Sequence, residues 1–300
     1  MKNIKTLLVL TLLLSSVWQN SYAESGDKLG ILHPKGLLWK IEKQGITNSY
    51  LYGTMHVGDP RVTNLSREVE QAFKQADHFA MEVLMNFQAM GVITSASFFN
   101  DGQTLKGVMG HIEYKRLISL INKRIFISED VINNMKPWAV LMLLMTPVDQ
   151  QAQGSSALDM VLYRRASQRK MKLTGLETAH EQVSVFDSMS IQEQLWMLNR
   201  SIEEIETTDA QMPEMLNAYV SRDLSRLVQI QESFMYDDSD IDDRFMYQLL
   251  DVRNVRMAER MLPILKSGNA FIAIGALHLP GKSGVLHLLE QQGYNVTSIY

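Results

Sequence analysis

The sequence predicts a mixed α/β (α+β) chain, in which a central sheet carries two Gly-x-x-His motifs at its strand ends and a large helical subdomain is joined to it. Three observations lead there. Short apolar strands recur at distant positions, amphipathic helices lie between them, and no tandem repeat of roughly 20 to 50 residues offers a solenoid instead.

Residues 37–42 and 49–52 are rich in aromatic and aliphatic side chains. They flank Lys43-Gln44-Gly45-Ile46-Thr47-Asn48, which has turn composition, so the pair reads as a hairpin. Ser66 as an N-cap, Glu68 and Glu70 in the first turn, and apolar Val69, Ala72, Phe73 and Ala76 predict a short amphipathic helix. Residues 77–83 read as the next strand. From about 86 to 166 the periodicity is helical, broken at Gly102, Gly107, Gly110, Pro137, Pro147 and Gly154. This Met-rich stretch reads as an insertion packed by adaptable thioether side chains rather than as a ligand site.

A helix over 158–169 leads to a strand over 171–177 that ends in a carboxylate. Further helices are expected over about 190–266, namely 191–205, 212–232 and 243–266. The acidic run 237–243 lacks the glycine and glutamate of an EF-hand calcium loop and reads as a solvated helix cap. A buried strand at 269–274, a loop, a helix at 283–291 and a last strand at 294–299 close the chain.

At the N-terminus, Lys2 and Lys5 precede an apolar run from Leu7 to Leu14 and a small-residue pattern at Ser21-Tyr22-Ala23. That order predicts a cleavable secretory signal peptide over 1–23. Its apolar run is shorter than the roughly 20 residues a membrane-spanning helix needs. Residues 24–300 are therefore expected as one exported, soluble domain, periplasmic or secreted and without a stable membrane anchor. The chain has no cysteine, which excludes disulfides, thiolate ligands, a cysteine nucleophile and a lipidated lipoprotein cysteine. The leader holds two of the 29 basic residues and none of the 33 acidic ones, leaving 27 against 33, a net charge of −6. Nucleic acid is an unsuitable partner for such a surface.

Tyr50-Leu51-Tyr52-Gly53-Thr54-Met55-His56 and Phe271-Ile272-Ala273-Ile274-Gly275-Ala276-Leu277-His278 are both apolar strands running into Gly-x-x-His. A histidine at the C-terminal end of a strand points into the crevice where open α/β sheets bind ligands. Either histidine alone is ordinarily a hydrogen-bonded structural residue; the repeated setting makes His56 and His278 candidate imidazole ligands of one metal ion. Glu82 and Glu177 follow two more strands and add carboxylates that would bind the metal or act on its water. Such a set suits Mn²⁺, Co²⁺ or Zn²⁺. Asp159, at the start of a helix, otherwise reads as a macrodipole-stabilising acid, and Arg253-Asn254 as an ordinary mid-helix pair. No His-Glu-x-x-His, Gly-x-Ser-x-Gly or phosphate-binding loop is present.

Tyr52-Gly53-Thr54-Met55-His56-Val57-Gly58, Gly175-Leu176-Glu177-Thr178, Arg253-Asn254 and Gly275-Ala276-Leu277-His278-Leu279-Pro280-Gly281 together resemble the TraB/GumN family, which includes PrgY and the Tiki proteases. The resemblance implies a core like that of the erythromycin-esterase and ChaN-like proteins. It also implies a divalent metal near the two motifs and, in the Tiki branch, metal-dependent proteolysis. On that basis His56, His278, Glu82 and Glu177 are expected as metal ligands, and Glu82, Glu177, Arg253, Asn254 and Asp159 as catalytic residues. The expected activity is hydrolysis of a peptide by a metal-activated water. The alternatives are a periplasmic protein that sequesters a peptide or haem-like ligand without turnover, and a small-ester hydrolase.

Overall fold

A computed structural model describes residues 30–146, 157–234 and 240–300. The expected leader, the breaks at Pro147 and Gly154, and part of the acidic run lie outside them. No helix among the described residues is long and apolar enough to cross a membrane.

Strands β1 (Leu38–Glu42) and β2 (Ser49–Thr54) form the expected hairpin, with Leu38 opposite Tyr52 and Ile41 opposite Ser49. The turn between them holds Gly45 at φ 77°, a conformation that favours glycine. Helices α1 (Pro60–Thr63) and α2 (Arg67–Gln75) lead to β3 (His78–Met81). Ser66 caps α2, and Val69, Ala72 and Phe73 are its buried face, as the sequence pattern predicts.

The predicted insertion is helical: α3 (Phe87–Ser97), α4 (Leu105–Met109), α5 (His111–Arg124), α6 (Glu129–Asn134), α7 (Pro137–Met145) and α8 (Leu158–Gln168) precede β4 (Lys172–Gly175). Then come α9 (Ala179–Asp187), α10 (Ile191–Val220), α11 (Leu224–Glu232), α12 (Asp240–Met246), a π-helical turn at Tyr247–Asp251, and α13 (Val252–Ser267). Strand β5 (Ala270–Gly275), α14 (Val285–Gln291) and β6 (Asn295–Ser298) complete the fold.

The helix pattern between 191 and 232 differs from expectation. Glu206-Thr207-Thr208-Asp209 does not end a helix; α10 runs through it and past Pro213. Leu198, Ile202, Ile205, Thr208, Met215 and Tyr219 keep one buried stripe across that stretch, and tertiary burial outweighs the weak local propensity. The break falls instead at Ser221-Arg222-Asp223, where Arg222 adopts φ 60°.

The six strands form one mixed sheet in the order β4-β3-β5-β2-β1-β6. β4, β3, β5 and β2 are parallel neighbours, while β1 pairs antiparallel with β2 and β6. β5 is central and every residue of it is buried, which explains its uninterrupted apolar sequence. Phe73 from α2 packs edge-on against Phe271 of β5 at 5.2 Å between ring centroids, joining helix to sheet.

Candidate metal and catalytic site

The parallel strands end level with one another. Thr54 lies opposite Gly275, Met81 opposite Ala273, and Met81 also opposite Gly175. Glu82 immediately follows β3, His56 and Glu177 each come two residues after their strands, and His278 ends a 3₁₀ turn at Ala276–His278. All four candidate ligands therefore leave the C-terminal edge of the same four strands, the edge where open α/β sheets place ligands.

The glycine of the first motif has a packing reason. A Cβ at Gly53 would stand 2.7 Å from Leu279 Cδ1 and 3.1 Å from Ala276 Cα, so the first Gly-x-x-His makes room for the chain of the second. Tyr219, near the end of α10, donates from Oη to the Gly53 carbonyl at 2.8 Å. Helix α10 thereby holds the strand end that presents His56.

His56 Nδ1 stands 2.6 Å from Asp159 Oδ2, and Thr54 Oγ1 donates to Asp159 Oδ1 at 2.5 Å. Asp159 opens α8, whose far end is fixed by two contacts. Arg165 grips Glu70 at 2.7 and 2.8 Å, and Arg169 donates to the carbonyls of Phe73, Lys74 and Ala76 at the end of α2. Asp159 thus orients His56 and is not merely a first-turn acid.

His278 is buried. Its Nδ1 lies 2.6 Å from Asn254 Oδ1, while Asn254 Nδ2 donates to the Ser283 carbonyl at 2.9 Å. Because an amide oxygen only accepts, the ring carries its proton on Nδ1 and presents a lone pair at Nε2. That Nε2 is 3.8 Å from Glu82 Oε1.

Arg253 joins the two glutamates. Nη2 donates to Glu82 Oε2 at 2.6 Å and Nε to Glu177 Oε2 at 2.8 Å. Glu82 Oε1 accepts from the Gly275 N–H at 2.7 Å, and Oε2 also accepts from Gln182 at 3.2 Å. Glu177 Oε1 accepts from Arg256 at 2.9 Å, so both of its oxygens are engaged by guanidinium groups. Arg260 continues the ladder with a forked pair to Glu181, both bonds 2.8 Å. Arg253, Arg256 and Arg260 share a face of α13 because positions three and four apart do so. A π turn directly precedes them, a distortion that is frequent at functional sites.

The electrostatics separate the two histidines. Burial disfavours charge on His56, but the charge of Asp159, its hydrogen bond and the charge of Glu82 outweigh it and lift the pKa from 6.5 to about 9. Burial and the neighbouring Arg253 push His278 down to about 3. For Glu82, burial favours the neutral acid, but Arg253 and the two histidines prevail and hold it at about 2.

Thr54, Gln182, Tyr219 and Arg256 belong to this group but carry no signal as single residues in the sequence. The Arg253, Arg256, Arg260 spacing opposite Glu177 and Glu181 is the one pattern that could have exposed part of it. Among the described residues, no three His, Asp or Glu side chains stand together as a ready-made metal cage. The second ring nitrogen of each histidine has no hydrogen-bond partner among them, and beside these nitrogens stands the Glu82 carboxylate, whose Oε1 accepts a single hydrogen bond and keeps a lone pair. At His278 a lone pair faces a carboxylate oxygen across 3.8 Å, an arrangement that a cation would relieve. The donor set fits a divalent metal of the zinc, manganese or cobalt type. A cavity of about 740 Å³ lies elsewhere, between α5 and α10, and shares no residue with this group.

The TraB/PrgY/gumN family model matches residues 37–298. The chain is similar to metalloprotease TIKI1 of Danio rerio, 25% identical over 309 residues that cover 86% of this chain and 62% of that protein. It is similar to metalloprotease TIKI2 of Xenopus tropicalis at 23% identity, covering 86% and 59%. Metalloprotease TIKI1 of Homo sapiens is 23% identical, with 86% and 61% covered. The chain thus spans about three fifths of the length of these relatives. No solved structure matches it.

Proposed function

Since the chain belongs to the TraB/PrgY/gumN family, and the relatives named above are metalloproteases, we propose that it is a metal-dependent hydrolase that cleaves peptides. One observation supports this most. Both motif histidines have Nδ1 turned to an oxygen, Asp159 for His56 and Asn254 for His278, which frees Nε2 of each. Metal-binding histidines are oriented in the same way, by an acceptor that takes the proton of the ring nitrogen facing away from the metal.

His56 Nε2, His278 Nε2 and Glu82 would hold the cation, either Mn²⁺, Co²⁺ or Zn²⁺. When bound, such a cation acidifies a water molecule and polarises a scissile carbonyl. Asp159 and Asn254 fix the tautomers of the two rings. Glu82, held at about 2, is an anionic ligand rather than an efficient proton acceptor at neutral pH. Glu177, expected from the sequence as a further ligand, anchors Arg253 and Arg256 in this reading. Arg253, pinned by two carboxylates, presents fixed positive charge to the oxyanion that forms. The leader expected over 1–23 would deliver the mature chain outside the cytoplasm, which N-terminal sequencing of the cell-exported protein tests.

The decisive experiment measures metal by elemental analysis in the mature protein and in the His56→Ala/His278→Ala double variant, followed by cleavage of a quenched peptide library. Near-stoichiometric metal and cleavage in the wild type, both lost in a folded double variant, are expected. Undiminished cleavage in the variant defeats the proposal. Metal or peptide binding with peptides recovered intact replaces it with the sequestering function.

A further inference from the structure

We infer that the outer face of α3 is the docking strip for apolar side chains of the peptide, an inference that deepens, and rests on, the hydrolase reading above. Helix α3 contains no charged residue. Phe87 is 93% exposed and Met90 55% exposed, and Gly91 and Thr94 are exposed as well. These four positions have the spacing i, i+3, i+4, i+7 and form one stripe of a helix. The opposite side packs inward through Ala89, which joins Val83 and Ala179 in a small apolar cluster. The stripe combines two large apolar groups, a glycine whose Cβ position is open space, and no charge, a face sized for one or two apolar side chains.

Its place in the fold connects it to the strand ends. α3 starts five residues after Glu82, and it packs against α9, which starts two residues after Glu177. Five residues of chain cannot separate Phe87 from Glu82 by more than about 18 Å. An extended peptide with its reacting bond near Glu82 covers that distance with about five residues. Phe87, the first residue of the helix, is within reach of such a peptide.

Other occupants fit less well. The face is about 16 Å long and about 10 Å wide, or about 160 Å², against about 800 Å² per partner in a stable dimer. A membrane-surface helix carries lysine or arginine along its polar face, and α3 has neither.

The test uses two fluorescein-labelled ten-residue peptides of equal charge, one rich in Leu and Phe and one in Ser and Asn. Binding is measured by anisotropy to the His56→Ala/His278→Ala protein, so that turnover plays no part. The expected result is preference for the apolar peptide, weakened about tenfold by adding Phe87→Ser/Met90→Ser, as the loss of two partly covered apolar side chains would do, and largely restored by Phe87→Leu/Met90→Leu. In the metal-loaded wild type, Phe87→Ser/Met90→Ser should raise KM for the apolar peptide while kcat holds. Equal binding with and without the serine substitutions overturns the inference. So does a loss confined to sedimentation with lipid vesicles or to self-association in gel filtration. If preference behaves as expected but no peptide is cleaved by the wild type, the docking strip stands and the hydrolase reading falls.

Discussion

Glu82 Oε1 accepts the backbone N–H of Gly275 at 2.7 Å, so the carboxylate at the end of β3 is tied to the last residue of β5. The same side chain reaches Arg253 through its other oxygen. Glu82 is therefore a structural rivet as well as a candidate ligand. Glu82→Ala leaves Arg253 buried with Glu177 as its remaining carboxylate, and should cost about 2–4 kcal/mol of stability. Glu82→Gln, which keeps an acceptor for Gly275, should cost less. Urea unfolding of the metal-free proteins measures both, and equal midpoints for wild type and Glu82→Ala would contradict the assignment.

The His56–Asp159 pair makes the stability of metal-free protein depend on pH. His56 has a folded-state pKa raised from 6.5 to about 9. A raised value means that the stabilisation is complete below the unfolded pKa and is lost as pH rises through the folded one. Stability should fall between about pH 6.5 and pH 9, and the fall should flatten in Asp159→Asn. Urea midpoints taken across that range give the slope; an unchanged slope in Asp159→Asn would show that the pair is not its source.

Metal loading should release a proton. His56 must lose the one it holds below about 9 before Nε2 can bind, whereas His278, at about 3, has none to lose near neutrality. Apparent affinity for Co²⁺ or Mn²⁺ should therefore rise about tenfold per pH unit between pH 6 and 8. Calorimetry in buffers of different ionisation enthalpy counts the protons directly. Release of none at pH 7 would exclude His56 as a ligand.

Gly53→Ala puts a methyl group against Leu279 and Ala276. Overpacking of this kind should destabilise by about 1–3 kcal/mol and also weaken metal binding, because the displaced segment carries His278. A thermal melt and a metal titration on the same sample decide it. Normal values in both would mean that the two motifs do not press on each other.

Much of this arrangement is legible in the sequence because strand ends are. The apolar runs before Gly53, Gly275 and Glu82 have the length and composition of buried parallel strands, the short strand before Glu177 is a half-exposed edge strand, and all four deliver whatever follows them to one edge. Asp159, Arg253 and Asn254 were legible only through family resemblance, since a first-turn acid and a mid-helix Arg-Asn pair have ordinary local explanations. Tyr219 and Thr54 acquire their partners only when α10 and α8 pack on the sheet. Glu177 shows the opposite limit. Its position is readable, but its pairing with Arg253 and Arg256 depends on the phase of α13, which the preceding π turn sets and no periodicity in the sequence reveals.

The central place of β5 has a consequence for the order of assembly. It lies between β3 and β2, yet it is encoded nearly 190 residues after β3 ends and close to the C-terminus. The sheet has a gap at its middle until Ala270–Gly275 has been made, and half of the candidate site, His278 with the Gly275 amide, arrives with the strand that fills it. Contacts of such sequence separation make folding slow and cooperative. A chain cut before Ala270 should be a poorly folded body with an open seam rather than a folded one with a weakened site, so that assembly of the candidate site and completion of the sheet become a single late event.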